Sequence, residues 1–91
     1  MNTPAESTTP PTAAYTPYPF DARAIAHRFR HSALFGALDA LEAGDAMRFV
    51  NDHDPIPLLH QMQQRYGDRI DVIYQQRGGD GPVVIDFVVK Q

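Results

Sequence analysis

The stretch Asn51–Leu58, which reads NDHDPIPL, constrains the fold more strongly than any other part of the chain. An alternating apolar run ends at its start, and a run with helical spacing follows it. Asp54 directly before Pro55 is a helix-start signal, because an N-cap carboxylate accepts unpaired backbone N–H groups and a proline in the first turn loses no needed donor. The sequence therefore predicts a strand, a tight turn and a helix in succession, with Asp54 as the N-cap.

Hydrophobic periodicity around this junction predicts four strands and two helices. In chain order the expected ranges are strand 18–21, helix 24–43, strand 45–50, helix 57–67, strand 70–75 and strand 83–90. Right-handed βα crossovers place both helices on the same side of the sheet. The predicted fold class is α+β: a two-layer βαβαββ sandwich with two helices on one face of a four-stranded mixed sheet. The last strand is apolar on both faces except for Asp86 and Lys90, which predicts an interior position.

The same periodicity predicts which side chains form the core. In the first helix, Phe29 and Ala33 are expected to extend the apolar stripe toward the N-terminus, and in the second strand Met47 and Phe49 point inward. The opposite face of the sheet would expose an apolar patch, a surface that usually marks a protein contact. Its members are Val50, Ile73, Val84 and Val88. This patch predicts either a protein partner or a homodimer formed through the open sheet face.

Length and composition limit the organisation of the chain. Its 91 residues support one small domain, expected over residues 18–91. Residues 1–17 are rich in proline, threonine and alanine and nearly uncharged, which predicts a disordered tail because such a segment buries too little apolar surface to order itself. The opening stretch resembles neither a signal peptide nor a membrane span, and a cytoplasmic location is expected by default.

Charge and cysteine content exclude several classes of function. Eight basic and eleven acidic residues give a net charge of -3 with no Lys/Arg stripe, which argues against nucleic-acid or acidic-membrane binding. The sequence contains no cysteine. Thiolate nucleophiles, persulfide carriers, disulfides and cysteine-ligated metals are therefore excluded.

The histidines are the main candidates for chemistry. His53 lies between two carboxylates, an arrangement that suits a metal-binding or pH-sensitive role as well as a structural hydrogen bond to a loop carbonyl. His27 and His31 are four residues apart on one predicted helical face, which would allow two imidazoles to hold one metal ion. His60 is expected to face solvent. Asp52 could serve as a metal ligand or fix the turn by accepting a hydrogen bond.

Several short motifs are distributed along the chain: Arg30-His31, Leu34-Phe35, Leu38-Asp39-Ala40-Leu41, Gly44-Asp45, and Val50–Leu58 followed by Gln61. Together they resemble the bacterial family catalogued as domain of unknown function 2249 (DUF2249). That family is in turn similar to the TusA-like sulfur carriers, which share the βαβαββ layout. Here Asp54 stands where the carriers have their persulfide-forming cysteine, so carrier chemistry is excluded. The resemblance implies a fourth strand between the second and third, with the motif exposed at one end of the sheet. It also implies a functional association with metal-binding or redox proteins, because relatives are often fused to or encoded beside hemerythrin-like and nitrogen-oxide respiration proteins.

The sequence is compatible with three functions. The favoured one is a non-enzymatic accessory or adaptor domain that binds a partner protein or small ligand, because the chain shows no nucleophile–base pair and no phosphate loop. Its predicted site comprises Arg30, His31, Asn51, Asp52, His53, Asp54, Pro55, Pro57 and Gln61. The second is a histidine/carboxylate module for a metal ion or haem, built from His31, Asp52, His53 and Asp54, with His31 and His53 as the main metal ligands. The third is an enzyme in which His53 acts as general base and Asp52 or Asp54 orients it.

Overall fold

The computed structural model describes residues 15–90, in which four strands and two α-helices follow one another as β1–α1–β2–α2–β3–β4. Their bounds are β1 Tyr18–Asp21, α1 Arg30–Ala40, β2 Ala46–Asn51, α2 Ile56–Tyr66, β3 Ile70–Arg77 and β4 Val83–Val89. The predicted α+β class is confirmed. Most of the predicted disordered tail lies outside the described residues. Within the described part of the chain, neither helix has the length and apolar character needed to cross a membrane.

The sheet is mixed and has the strand order β1-β2-β4-β3. β1 pairs with β2 in parallel, whereas β4 pairs antiparallel with β2 on one side and β3 on the other. The interior position predicted for the last strand is confirmed. Its alternate side chains Val83, Ile85 and Phe87 are at most 1% exposed, as expected for a strand with neighbours on both edges.

Both helices pack against one face of this sheet and share a single core with it. Leu34 and Leu38 of α1 and Leu58, Met62 and Tyr66 of α2 are buried against the sheet residues Met47, Phe49, Ile85 and Phe87. The inward orientation predicted for Met47 and Phe49 is confirmed. The Phe49 ring lies 5.4 Å from that of Phe87 and 6.2 Å from that of Phe20, measured between centroids, distances at which aromatic pairs attract one another. The second strand is therefore fixed at the centre of the core, just before the NDHDPIPL turn.

The first helix is shorter than the sequence predicts. The expected range 24–43 resolves into two 3₁₀ turns, Ala22–Ala24 and His27–Phe29, followed by α1. A 3₁₀ turn winds more tightly than an α-helix, so an α-helical stripe extrapolated backwards through it loses its register. Phe29 is accordingly 56% exposed, and its predicted core position is wrong.

The helix α1 also ends earlier than the sequence predicts, at Ala40. Leu41 is already extended, with φ -75° and ψ 145°. The Asp45 carboxylate accepts the Glu42 N–H at 2.9 Å, and the Gly44 N–H donates to the Val89 carbonyl at 2.8 Å. A side chain that hydrogen-bonds the local backbone competes with helix continuation in this way.

The open face of the sheet carries a buried charge at its centre. Val50, Ile73, Val84 and Val88 are all half-buried. Among them lies Asp86, which is 0% exposed and accepts two hydrogen bonds from Arg48, each 2.8 Å long. The Tyr15 hydroxyl donates to it at 2.8 Å and the Gln75 amide at 3.1 Å. The face is therefore less apolar than the sequence predicts, and self-association through it stays a prediction.

Ionisation of Asp86 is stabilised by these donors. Burial raises the pKa of this carboxyl, but the hydrogen bonds from Arg48, Tyr15 and Gln75 and the charge of Arg48 together lower it by more, and the resulting pKa is below its ordinary value. Burial and the neighbouring carboxylate raise the pKa of Tyr15 to about 12. At neutral pH the cluster therefore consists of a carboxylate, a guanidinium and a protonated phenol, in which every donor has the same acceptor.

Candidate functional site

The turn between β2 and α2 is held by Asn51, the last residue of the strand. This side chain is 5% exposed. Its amide nitrogen donates to the His53 carbonyl at 3.0 Å, and its amide oxygen accepts from Arg30 Nη1 at 3.3 Å. Because one buried amide satisfies both the turn and the first residue of α1, Asn51 fixes the distance between the two sides of the site.

Arg30 is fixed mainly by neutral oxygens. Its Nε donates to the Ile25 carbonyl at 2.9 Å, and its Nη1 also lies 3.8 Å from an oxygen of Asp52. The side chain is 17% exposed. A guanidinium has five N–H donors in a rigid fork, so these contacts orient the group while leaving donor capacity for another acceptor.

His53 and Asp52 form a close pair in the turn. His53 Nδ1 lies 2.6 Å from Asp52 Oδ1. The hydrogen bond from His53 and the charge of Arg30 lower the pKa of the Asp52 carboxyl, although the slight desolvation of that carboxyl acts against them. An ionised carboxylate can only accept, so Nδ1 carries the proton and Nε2 is the nitrogen that remains for a ligand. Both side chains are more than half exposed, at 63% and 56%.

Asp54 does not cap α2, and that prediction is wrong. The N-cap of the helix is Pro55, and no side chain caps it. An Asp54 cap would need the N–H of the second or third helical residue. The third would be Pro57, which has none, and the N–H of Ile56 donates to the backbone carbonyl of Asp54 at 3.0 Å. The carboxylate instead accepts from the Tyr74 hydroxyl of β3 at 2.6 Å. Burial and this hydrogen bond raise the pKa of Tyr74.

The Asp54–Tyr74 bond predicts coupled mutational effects. Asp54→Ala and Tyr74→Phe should each lower the free energy of unfolding by about 1 kcal/mol, because each removes one hydrogen bond to a charged group at a half-buried position. The double variant should lose little more than either single variant. Urea denaturation of the four proteins measures this coupling. If Asp54→Ser retains full stability while Tyr74→Phe has no effect, the carboxylate acts as a cap after all.

A pocket of about 250 Å³ lies between Arg30 at the start of α1 and His53 in the turn before α2. It is bounded by the 3₁₀ turns before α1, the first turns of both helices and the end of β2. Its lining residues are Ala22, His27, Arg30, His31, Leu34, Phe49, Asn51, His53, Pro55, Pro57 and Leu58. Six of the nine predicted site residues are therefore brought together here: Arg30, His31, Asn51, His53, Pro55 and Pro57.

The other three predicted residues lie outside this pocket. Asp52 faces a separate shallow depression beside the Gly79–Pro82 turn, and it reaches the main site only through His53 and Arg30. The Asp54 carboxylate accepts a hydrogen bond from the Tyr74 hydroxyl. Gln61 is exposed on α2 and does not line the pocket.

The apolar floor of the pocket was not predicted as part of the site. Leu34, Phe49 and Leu58 are 1–3% exposed, and their spacing indicates core positions only. Ala22 belongs to a 3₁₀ turn that has no periodic signal. His27, which the sequence indicates only as a partner of His31, lines the same pocket. Ala22 and His27 become neighbours of His53 through the parallel pairing of β1 with β2, which brings the segment after β1 beside the end of β2.

Three imidazoles line the pocket, but they do not form a recognisable metal centre. In residues 15–90 no group of three or more histidine, cysteine, aspartate or glutamate side chains is placed to hold a metal ion. Catalytic zinc sites ordinarily use three protein ligands and structural sites four. The predicted metal ligands His31 and His53 therefore share a pocket without a third ligand from the described part of the chain.

A family model described as "Uncharacterized conserved protein (DUF2249)" matches residues 19–89. The chain belongs to the DUF2249 family. The match extends from the second residue of β1 to the end of β4, so it includes both helices, the other three strands and every residue that lines the pocket. The resemblance carried by the Val50–Leu58 motif is confirmed. No curated protein and no solved structure matches the chain, and the likeness of this DUF2249 domain to sulfur carriers stays a prediction.

Proposed function

We propose that this DUF2249 domain is a small non-enzymatic accessory module that binds a small ligand, or a protruding group of a partner protein, in the pocket at the NDHDPIPL turn. The convergence of separate chain segments on one pocket carries this proposal. Binding sites are typically concave and mostly apolar, with a few polar groups that fix the orientation of the ligand. The pocket has this composition, with a leucine and phenylalanine floor and an arginine, an asparagine and three histidines around it.

The polar groups are held in place by contacts within the domain. Arg30 is fixed by Ile25 and Asn51, and His53 is fixed by Asp52. Side chains held in this way lose little conformational entropy when a ligand binds, which favours affinity. His53 is 63% exposed, so it contributes little to packing and is accessible from solvent.

One feature of the structure favours the third hypothesis, an enzyme with His53 as general base, and another argues against it. The 2.6 Å contact between His53 and Asp52 is the kind that orients a catalytic imidazole. However, the described residues that line the pocket include no serine, threonine, cysteine, lysine, tyrosine or carboxylate, so that histidine is the one type of common nucleophile among them. The lining therefore favours binding over covalent catalysis.

A histidine/carboxylate module for a metal ion or haem, linked to redox or nitrogen-oxide metabolism, is the second candidate. The observation in its favour is that His27, His31 and His53 line one pocket. Metal analysis of the purified protein, followed by zinc titration of the wild type and His31→Ala, tests it. One equivalent of zinc bound by the wild type and lost in the variant would favour this candidate over an organic ligand.

Two further parts of the proposal concern partners and location. The half-buried residues of the open sheet face, Val50, Ile73, Val84 and Val88, are proposed to contact a protein partner or a second copy of the chain. A cytoplasmic location is proposed from the sequence.

His53→Ala is expected to separate binding from stability. The melting temperature should change by no more than about 4 °C, because surface substitutions usually alter stability by less than about 0.5 kcal/mol. A screen of small organic fragments, followed through the backbone amide signals of ¹⁵N-labelled protein, should shift pocket residues in the wild type and lose these shifts in the variant. His60→Ala removes an exposed imidazole of α2 that does not line the pocket, and it should bind as the wild type does.

Two results would contradict this proposal. If no fragment shifts the pocket residues of the wild type, the pocket is not a binding site for small molecules. If His53→Ala unfolds the domain, the imidazole is a structural pin rather than a ligand contact.

A further inference from the structure

We infer that the pocket selects a small organic anion, a carboxylate joined to an apolar body. This inference rests on the proposed binding function and names the class of ligand. The charge of the lining is its first support. Arg30 and three imidazoles line the pocket, and no aspartate or glutamate does so. A concave site whose charged and ionisable side chains are all cationic or neutral favours an anion over a cation or a zwitterion.

The second support is that Arg30 lacks a close carboxylate partner among the described residues. Its nearest carboxylate oxygen, on Asp52, is 3.8 Å away and is shared with His53 at 2.6 Å. The corresponding distance is 2.8 Å for Arg48 and 2.6 Å for Arg65. The guanidinium of Arg30 is thus largely withdrawn from solvent, oriented by neutral acceptors and incompletely neutralised. A ligand carboxylate would supply the charge-assisted hydrogen bonds that this group lacks.

The start of α2 offers few backbone donors for such an anion. Helix N-termini bind anions through unpaired backbone N–H groups. Here Pro55 and Pro57 have no N–H, and the N–H of Ile56 donates a hydrogen bond to the backbone carbonyl of Asp54. Pro55, Ile56 and Pro57 therefore offer no unpaired N–H to a ligand, and Arg30 is the cationic side chain of the lining.

The floor of the pocket argues against an inorganic anion. Leu34, Phe49 and Leu58 offer no donor to replace the hydration of phosphate or sulfate, and desolvating such an ion without new hydrogen bonds is unfavourable. An organic anion can place its apolar part on this floor and its carboxylate at Arg30. Burial of the apolar part and the charge-assisted hydrogen bonds of the carboxylate then both favour binding. The volume of about 250 Å³ is below the range of drug-sized sites, which indicates a ligand the size of a short-chain or single-ring acid.

Three probes test the inference on the complete protein: benzoate, its uncharged analogue benzamide, and inorganic phosphate. Each is titrated into ¹⁵N-labelled protein at constant ionic strength. Benzoate should shift the amide signals of residues in the first turn of α1 and in the 51–58 turn. Benzamide and phosphate should bind at least about tenfold more weakly, since each lacks one of the two groups that the pocket accommodates.

Matched arginine variants locate the charge that matters. Arg30→Gln should weaken benzoate binding by at least about tenfold and leave benzamide binding unchanged, whereas Arg30→Lys should restore part of the loss. Arg28→Gln makes the same change in net charge at an exposed residue of the preceding turn that does not line the pocket, and benzoate binding should be unchanged. If Arg30→Gln does not fold, the comparison of the three probes on the wild type still decides the question.

The failures of the two proposals are distinguishable. Benzamide that binds as tightly as benzoate, or phosphate that binds more tightly than either, overturns the organic anion and leaves a binding pocket of another specificity. Shifts that are lost in Arg28→Gln to the same extent as in Arg30→Gln also overturn it, because they indicate attraction to net charge alone. If neither these probes nor the fragment screen shifts any pocket residue, both the inference and the proposed binding function fail.

Discussion

Replacing Leu58 with alanine is expected to lower the free energy of unfolding by about 2–5 kcal/mol, the cost of a large-to-small change in a core that cannot fully collapse. The side chain is 3% exposed and belongs to the cluster between α2 and the sheet. Small domains are stable by only about 5–15 kcal/mol, so this single change approaches the stability of the domain.

Urea denaturation measures this effect, and Ile56→Ala provides its control. Ile56 lies in the same turn of α2 but is 48% exposed, so its truncation should change the free energy of unfolding by no more than about 0.5 kcal/mol. If Leu58→Ala is as stable as the wild type, or if the two variants lose equal stability, α2 does not present the face that the structure assigns to it.

Leu58 also shows how the fold could be predicted from sequence while the pocket could not. Alternation in β2 correctly identified Met47 and Phe49 as buried, because burial repeats with the geometry of each element. The same signal makes no distinction between a leucine enclosed by core atoms and one that also forms the floor of a pocket. That distinction depends on the path of residues 22–29, where short 3₁₀ turns replace the predicted helix.

The NDHDPIPL motif illustrates a second limit. Local capping rules favour Asp54 as the N-cap, but Pro57 has no N–H to offer such a cap, and the N–H of Ile56 donates to the backbone carbonyl of Asp54. The Tyr74 hydroxyl of β3, distant in sequence, is the donor that the Asp54 carboxylate accepts instead. His53 and Asp52, in contrast, interact with each other as sequence neighbours. Residue types in the motif were therefore sufficient to locate a site, whereas the partner of each carboxylate depended on the tertiary fold.

Asp86 provides the second large effect, and it was visible in the sequence only as an interruption of an apolar strand. Asp86→Ala is expected to lower the free energy of unfolding by about 2–4 kcal/mol. Breaking a buried ion pair usually costs 3–5 kcal/mol, and the loss is smaller here because the Arg48 side chain is 42% exposed and can recover water. Asp71→Ala is the control on the same face. Its partner is Lys90 at 3.4 Å, both side chains are about half exposed, and an exposed pair of this kind contributes less than about 1 kcal/mol.

The pH dependence of these variants distinguishes a charged Asp86 from a merely buried one. Because the pKa of Asp86 is lower in the folded protein than its ordinary 3.8, the contribution of the carboxylate is complete above pH 3.8 and is lost as the pH falls through the folded value. The stability gap between the wild type and Asp86→Asn should therefore be constant from pH 5 to 8 and narrow below pH 3.8.

Tyr15 should show the opposite pH dependence. Its pKa rises from 10.0 to about 12 on folding, so the advantage of the wild type over Tyr15→Phe is present below pH 10 and declines between pH 10 and 12. Thermal melts across both ranges measure the two gaps. A gap for Asp86→Asn that widens in acid would show that the buried carboxyl is protonated in the folded protein, and the ion pair with Arg48 would then not hold this face of the sheet together.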